Sequence, residues 1–284
     1  MVNTELKLSL ERIDVLPAMP IIVQKLLTLP LDTEEGEIQL LKLIGQDPQI
    51  SAKIIGLSNS TLFGVPRKIA SVSDAAMCLG LTRVKSVAIG IATMSTLTKP
   101  VEGKLKTNDL WLHNMTIAIA MRAIAKYMPS RIRPMDDQIF LAGLLHDIGF
   151  NALSFLDATL CDTLLDQLNM ANDKPILELE QELMGTHHSE IGARLAVHWG
   201  LPDEIVDVIR YHHTPNAAHT DAGQPLIHLV HITEKMVPDV GILEHTQQEI
   251  TQQEWNAIGV DSNTQDTIIE EVIAAAEQAK AIKI

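Results

Sequence analysis

The chain has 284 residues, with 22 Lys and Arg against 36 Asp and Glu, a formal net charge of −14. Hydrophobic residues make up 46% and aromatic residues only 3%, so aliphatic side chains can fill a sizeable core, which excludes wholesale disorder and favours helix over sheet. The acidity argues against a broad basic face for nucleic acid but leaves room for a local pocket that takes one phosphorylated ligand.

Cys78 and Cys161 are too few for a disulfide framework and point to a reducing, cytoplasmic compartment. The opening MVNTELKLSLERIDVL interleaves charges with apolar residues and lacks the apolar stretch of a secretory signal. No uncharged apolar run of about 18 residues occurs, so no membrane span is expected.

Nearly every segment follows a helical period and few alternate strictly. Residues 20–29 place Ile21, Ile22, Lys25 and Leu29 at helical spacing behind Pro20. A second helix is predicted over 36–44, broken by Gly45-Gln46-Asp47-Pro48. Asp47 before Pro48 reads as an N-cap with a first-turn proline, starting a helix over 48–58. Ser73 is expected to cap a helix over 74–79 that Gly80 ends, and Thr82 to open the next. The polar stretch 98–108 is the best boundary between two parts. Beyond it, helices are predicted at 109–127, 136–156, 159–171, 175–184, 188–199, 202–213 and 225–237. The tail follows with a turn at 238–247 and helix-like stretches at 248–257 and 263–281.

All eleven histidines lie at or after His113, so the two parts differ in chemistry. Five features there have the residue types of metal ligands. Asp109 and His113 stand at i and i+4 on one helix. His146-Asp147 interrupts the apolar run LAGLLHDIGF, where a buried carboxylate needs a partner or a cation. His187-His188 lies in GTHHSEIGA, His212-His213 ends EIVDVIRYHH, and Glu234 shares HLVHITEKM with His231. Imidazoles with carboxylates suit Fe, Mn, Zn or Ni, as one ion or as two bridged by a carboxylate. Paired ions activate water and hold phosphoryl oxygens in phosphoester hydrolysis. Against this, single histidines on apolar helices are more often hydrogen-bonded core residues, the reading given to His198, His219, His228 and His245.

LAGLLHDIGF, with His113 upstream and HHSEIGA and HH downstream, resembles the HD superfamily of metal-dependent phosphohydrolases. LPAMPIIVQKLLTL, IGQDPQISAKIIGLSNSTLFG and SVSDAAMCLGLTRVKSVAIG narrow the resemblance to the HDOD family, the HD-related output domain of bacterial signalling proteins, over roughly residues 13–237. The resemblance implies an all-α fold, an N-terminal helical bundle over 1–103 packed on an HD-domain-like helical bundle over 104–240, with accessory helices from 241. It implies a signalling or scaffolding module rather than an enzyme, with signalling proteins or a phosphorylated small molecule as partners.

Laid against the related HD-GYP phosphodiesterases, the chain keeps a ligand set of Asp109, His113, His146, Asp147, His188, His212, His213 and Glu234. His188 rather than His187 fits the H-x-x-I-G pattern, and Glu234 stands where an aspartate is expected. Phe150 replaces the lysine after HDIG, and HHTPNAAHT lacks the GYP motif. The alternative function is a phosphohydrolase acting on a nucleotide or cyclic dinucleotide, with Asp147 bridging two ions.

Elsewhere the bland readings prevail. Asn59 and Ser60 close a helix and turn. Arg67-Lys68 and Arg131/Arg133 are solvated loop charges. Cys78 and Cys161 read as small core residues, and Trp111, Trp199 and Trp255 as packing anchors.

Overall fold

Capping chemistry cuts the first part of the chain into short helices. The computed structural model describes residues 15–60, 68–98, 103–170, 174–217, 222–237 and 249–280, and the regular elements among them are all helical. The N-terminal bundle comprises α1 (Ile21–Leu27), α2 (Glu34–Gly45), α3 (Pro48–Ser58), α4 (Val72–Leu79) and α5 (Leu81–Leu97). Asp47 starts α3 as expected, its Oδ1 accepting from the amides of Gln49 at 2.9 Å and Ile50 at 3.0 Å. The cap of α4 is Ser71 rather than Ser73: the Ser71 hydroxyl accepts from the Asp74 amide at 3.0 Å, so the helix begins at Val72, ahead of the expected 74.

α1 buries Val23 and Leu26, while Ile21 is 69% exposed, because the face through Lys25 points at solvent. One expectation about burial fails here. Cys78 is exposed, since α4 buries Val72, Ala75, Ala76 and Leu79 on its other side; Cys161 is buried as expected.

The second bundle holds α6 (Thr107–Ala125), α7 (Asp136–Leu145), α8 (Ile148–Leu156), α9 (Ala158–Met170), α10 (Ile176–Met184), α11 (His188–His198), α12 (Asp203–Tyr211) and α13 (Leu226–Met236). α7 packs on α6 and α5, α8 on α11, α11 on α12, and α13 on α6. Arg133, read as a solvated loop charge, donates to the carbonyls of Lys126 and Met128 and so satisfies the end of α6. In the tail, α14 (Gln252–Ala257) packs on α13, and α15 (Gln265–Lys280) lies along α6. Tyr127 donates to Glu271 of α15 at 2.6 Å.

α5 joins the two bundles. It is buried almost continuously from Ser86 to Met94, one side meeting α1 and the other α7 and α8. Arg83 contacts Asp136 at 3.0 Å at one end of this seam, and Lys85 donates to the Leu29 carbonyl at 2.9 Å. The hydrophobic core is therefore one cluster that runs across both bundles. Trp111, Trp199 and Trp255 are all buried in it, and the Trp199 indole donates to the Pro17 carbonyl at 2.9 Å.

The stretch 136–156 is long and apolar enough to cross a membrane by composition alone, yet 83% of its apolar 18-residue window is buried inside the protein. Read from sequence as one helix, it is two, α7 and α8, meeting at His146-Asp147. His146 continues the helical turn, while Asp147, at φ −101° and ψ 18°, leaves it. That break takes the Asp147 carboxylate out of the helical repeat of LAGLLHDIGF.

Candidate metal centre

Close approach of two backbones sets the geometry of this centre. Gly149 at the start of α8 faces Gly192 of α11, and a Cβ on Gly149 would stand 1.9 Å from the carbonyl oxygen of His188. The glycine of HDIG and the glycine of HSEIG are thus two sides of one helix crossing. That crossing brings the first residue of α11, His188, against Asp147. α6 supplies His113, the end of α12 supplies His212 and His213, and α13 supplies Glu234.

The two oxygens of Asp147 face different sets of ligands. Oδ2 lies 3.4 Å from His113 Nε2 and 3.3 Å from His146 Nε2. Oδ1 lies 3.5 Å from both His188 Nε2 and His212 Nε2. Glu234 extends the first set, its Oε1 3.1 Å from His146 Nε2, and its Oε2 reaches His213 Nδ1 at 3.6 Å. The donor atoms of His113, His146, Asp147 and Glu234 all lie within 4.8 Å of one another, and so do those of His188, His212 and His213. Asp147, His146, His188 and His212 are wholly buried.

The outer faces of the imidazoles fix where their protons sit. His146 Nδ1 faces the Gly143 carbonyl at 2.8 Å, and His212 Nδ1 faces the Ile209 carbonyl at 2.9 Å. His188 Nδ1 faces Glu180 Oε1 at 2.8 Å, and the other Glu180 oxygen accepts from the His188 amide at 3.2 Å. Each Nδ1 therefore donates outward, and each Nε2 is directed inward, where it offers a lone pair to a cation when the ring is neutral. His188 Nε2 and His212 Nε2 stand 3.3 Å apart. Both Asp147 oxygens are buried, at 3.3–3.5 Å from those nitrogens. A cavity lined by inward nitrogens and carboxylate oxygens concentrates negative charge that a cation compensates.

Local electrostatics point the same way. Burial lowers the affinity of His146 for a proton, but Asp147 and then Glu234 more than offset it and hold His146 well above the usual imidazole value. His188 is likewise held high against burial, by Glu180 and Asp147. Burial would raise Asp147, yet His146 and the imidazoles of His188 and His212 keep it well below the usual carboxylate range. Glu234 is drawn down to about 2, against burial, by His213 and His212. His213 is held well below its ordinary value, by burial and then by His212, so it stays neutral and able to ligate. The negative charge of this cavity thus calls for compensation, by protons in the bare protein or by divalent ions.

Seven of the eight residues singled out from sequence converge here. Asp109 does not: it is exposed near the start of α6 and belongs to neither group. The i, i+4 spacing aligns it with His113 along the helix but sets it a full turn away, beyond the buried part of α6. His187 sits outside the site as the N-cap of α11. His198 is exposed, His228 bonds Gln224 at 2.6 Å, and His219 and His245 lie outside the described residues.

Glu180 escaped the sequence reading. It is fully buried on α10 and orients His188. Its only signal was an acidic residue at a buried position of LELEQEL, eight residues before His188. Phe150 is fully buried and stacks on His188 with ring centroids 4.3 Å apart.

Residues 16–215 match the HDOD domain family. An uncharacterized protein of Treponema pallidum (strain Nichols) is 26% identical over 233 residues, covering 80% of this chain and 43% of that relative. The chain therefore spans less than half the length of this curated relative. Among solved structures, an HDOD domain protein with unknown function from Geobacter sulfurreducens is 26% identical, with a TM-score of 0.76 over 97% of this chain and 98% of its own. Two others share the fold. One, from Marinobacter aquaeolei VT8 and named provisionally as a signal transduction protein, is 23% identical with a TM-score of 0.79, covering 99% of this chain and 60% of that one. The other, from Shewanella amazonensis SB2B and named provisionally as a phosphohydrolase, is 22% identical with a TM-score of 0.69, covering 97% and 98%.

Proposed function

The chain belongs to the HDOD domain family, and on that premise we propose that it is a cytoplasmic signalling module whose HD-type cavity binds two divalent ions bridged by Asp147. One observation carries this reading: each buried oxygen of Asp147 faces its own set of imidazole nitrogens, at 3.3–3.5 Å. His113, His146 and Glu234 would hold one ion, and His188, His212 and His213 the other. Bound ions supply the positive charge that offsets Asp147 and Glu234, and Lewis acidity toward phosphoryl oxygens. Fe, Mn, Zn and Ni all suit a site this rich in imidazole. The free thiols Cys78 and Cys161 fit a reducing compartment.

Binding rather than turnover is favoured by Phe150. Where related phosphodiesterases carry a lysine, this chain stacks an aromatic ring on His188, so no cation there can meet a substrate phosphate. Occupancy of the cavity would bias the packing of the second bundle against α5 and present a surface to a signalling protein. A phosphorylated small molecule is the alternative ligand.

A second reading, phosphohydrolase, is favoured by the edge of the site. The His113 and His213 side chains keep 9% and 8% exposure, whereas those of His146, His188 and His212 keep none. This is where water or a phosphate oxygen would reach the ions.

Elemental analysis of protein purified without chelators tests both readings, followed by phosphodiesterase assays with Fe²⁺ and Mn²⁺. The expected result is about two ions per chain and no turnover, with Asp147→Asn weakening uptake by at least about 100-fold. Turnover that Asp147→Asn abolishes would favour the enzyme. Protein that takes up no ion ends both.

A further inference from the structure

The family match ends at residue 215, but the support of the second ligand group does not. His231 of α13 faces the backbone carbonyl of His212 with its Nδ1 at 2.8 Å. Its Nε2 faces Glu254 Oε1 of α14 at 3.0 Å. The same Glu254 oxygen accepts from Lys235 at 2.6 Å. The other oxygen, Oε2, accepts from the Thr251 amide at 2.7 Å and from the Thr251 hydroxyl at 2.9 Å, closing the cap of α14. Trp255, 3% exposed, seats α14 in the core beside this cluster.

A contiguous line of polar contacts thus runs from the helix start at Thr251, through Glu254 and the His231 ring, whose two nitrogens each face an acceptor, to the main chain between the adjacent ligands His212 and His213. Nothing in the proposed function uses this line. A carbonyl at the end of α12 could be satisfied by water. Here it is held by a ring that is itself clamped from the far side, at a turn where the consecutive side chains of His212 and His213 both aim inward.

We propose that Glu254 and His231 form a latch by which α14 positions His212 and His213 for the second ion. The latch rests on the metal reading above. Neither residue touches an ion; both act through the His212 backbone. Breaking the latch should therefore loosen the group that holds His212 and His213 more than the group of His113, His146 and Glu234, because His231 bonds the His212 main chain.

Co²⁺ titration of the metal-stripped full chain tests this, read by absorption and by chelator competition. In E254L the ion at His188, His212 and His213 should bind about 10- to 100-fold more weakly, as when a ligand loses its outer hydrogen bond. The ion at His113, His146 and Glu234 should keep its affinity within about threefold. E254Q, which retains an acceptor for Lys235 and His231, should recover most of the loss. H231L should reproduce E254L, and the double variant should add little to either. Should E254L fail to fold, E254D carries the test, because it keeps the charge but draws the carboxylate back from His231.

Equal weakening of both ions, or a folded E254L or E254D with unchanged affinities, would overturn the latch while leaving the metal site standing. Wild-type protein that takes up no Co²⁺ overturns the metal reading and the latch with it.

Discussion

The two bundles bury different things. Among the described residues from 15 to 98 the buried polar side chains are Ser58, Ser86 and Thr93, against 23 buried hydrophobic residues. Ser58 and Ser86 return a hydrogen bond to their own helix. The second bundle buries His113, His146, Asp147, Glu180, His188, His212 and Glu234 in one place. Burying an ionisable group costs several kcal/mol unless it is paired, and a hydrophobic replacement would often be more stable. The first bundle is therefore explained by packing alone. The second accepts a cost that packing does not require, and function is the simplest reason to keep it.

Gly149→Ala should break this contrast at its strongest point. In the second bundle, packing and chemistry share residues: the added Cβ would meet the His188 carbonyl oxygen at 1.9 Å, so α8 and α11 must part. We expect a loss of about 3 kcal/mol in denaturant unfolding, together with loss of the ion at His188. A stable variant that kept both ions would show that the crossing of α8 and α11 does not set the site.

Asn59→Ala is the counterpart in the first bundle. Asn59 donates to the Ile55 and Ile69 carbonyls and accepts from the Ile69 amide, each at 2.8 Å, tying the end of α3 to the chain that leads into α4. Its removal should cost about 1.5 kcal/mol and leave metal uptake unchanged. An effect on metal affinity would mean that the bundles communicate through α5 more tightly than their chemistry suggests.

The same contrast governs what could be read from the sequence. Helix existence was legible because caps and breakers act locally: Asp47 and Gly80 need no tertiary context. Faces were less legible. The helical spacing of Ile21, Ile22, Lys25 and Leu29 does not say which face goes inward; what α1 packs against decides that Val23 and Leu26 do. The ligands were legible because histidine and aspartate in apolar surroundings are improbable without a purpose. Their sharing of one cavity, and the division into two groups by the two oxygens of Asp147, rested on helix crossings such as Gly149 on Gly192, which spacing does not encode.

Asp109 looked like a ligand for a local reason: helical spacing fixes the neighbours on a face but not where the face stops being buried. The roles of Glu180, His231 and Glu254 were hidden because each meets its partner, His188, His212 or His231, across a separation of 8 to 23 residues that only the fold closes.

The smallest effect separates the tail's contribution from that of either bundle. Burial would raise the Glu254 carboxyl, but the Lys235 hydrogen bond, then the Thr251 amide and hydroxyl, bring it from 4.5 down to about 2. A carboxyl depressed in the folded state stabilises above its unfolded value and loses that contribution as pH falls through the folded one. Wild-type protein should therefore shed stability between about pH 4.5 and 2 that Glu254→Gln, which cannot titrate, never had. The group is partly solvated, so screening reduces the term to on the order of 1 kcal/mol. Thermal melts of metal-stripped protein should show the two curves separated at pH 6 and converging near pH 2. Asn59→Ala should instead run parallel to wild type across the range, because it removes uncharged hydrogen bonds. Parallel curves for Glu254→Gln would mean that the Lys235 and Thr251 contacts do not hold the carboxylate in solution, and the link from α14 to His212 would lose its anchor.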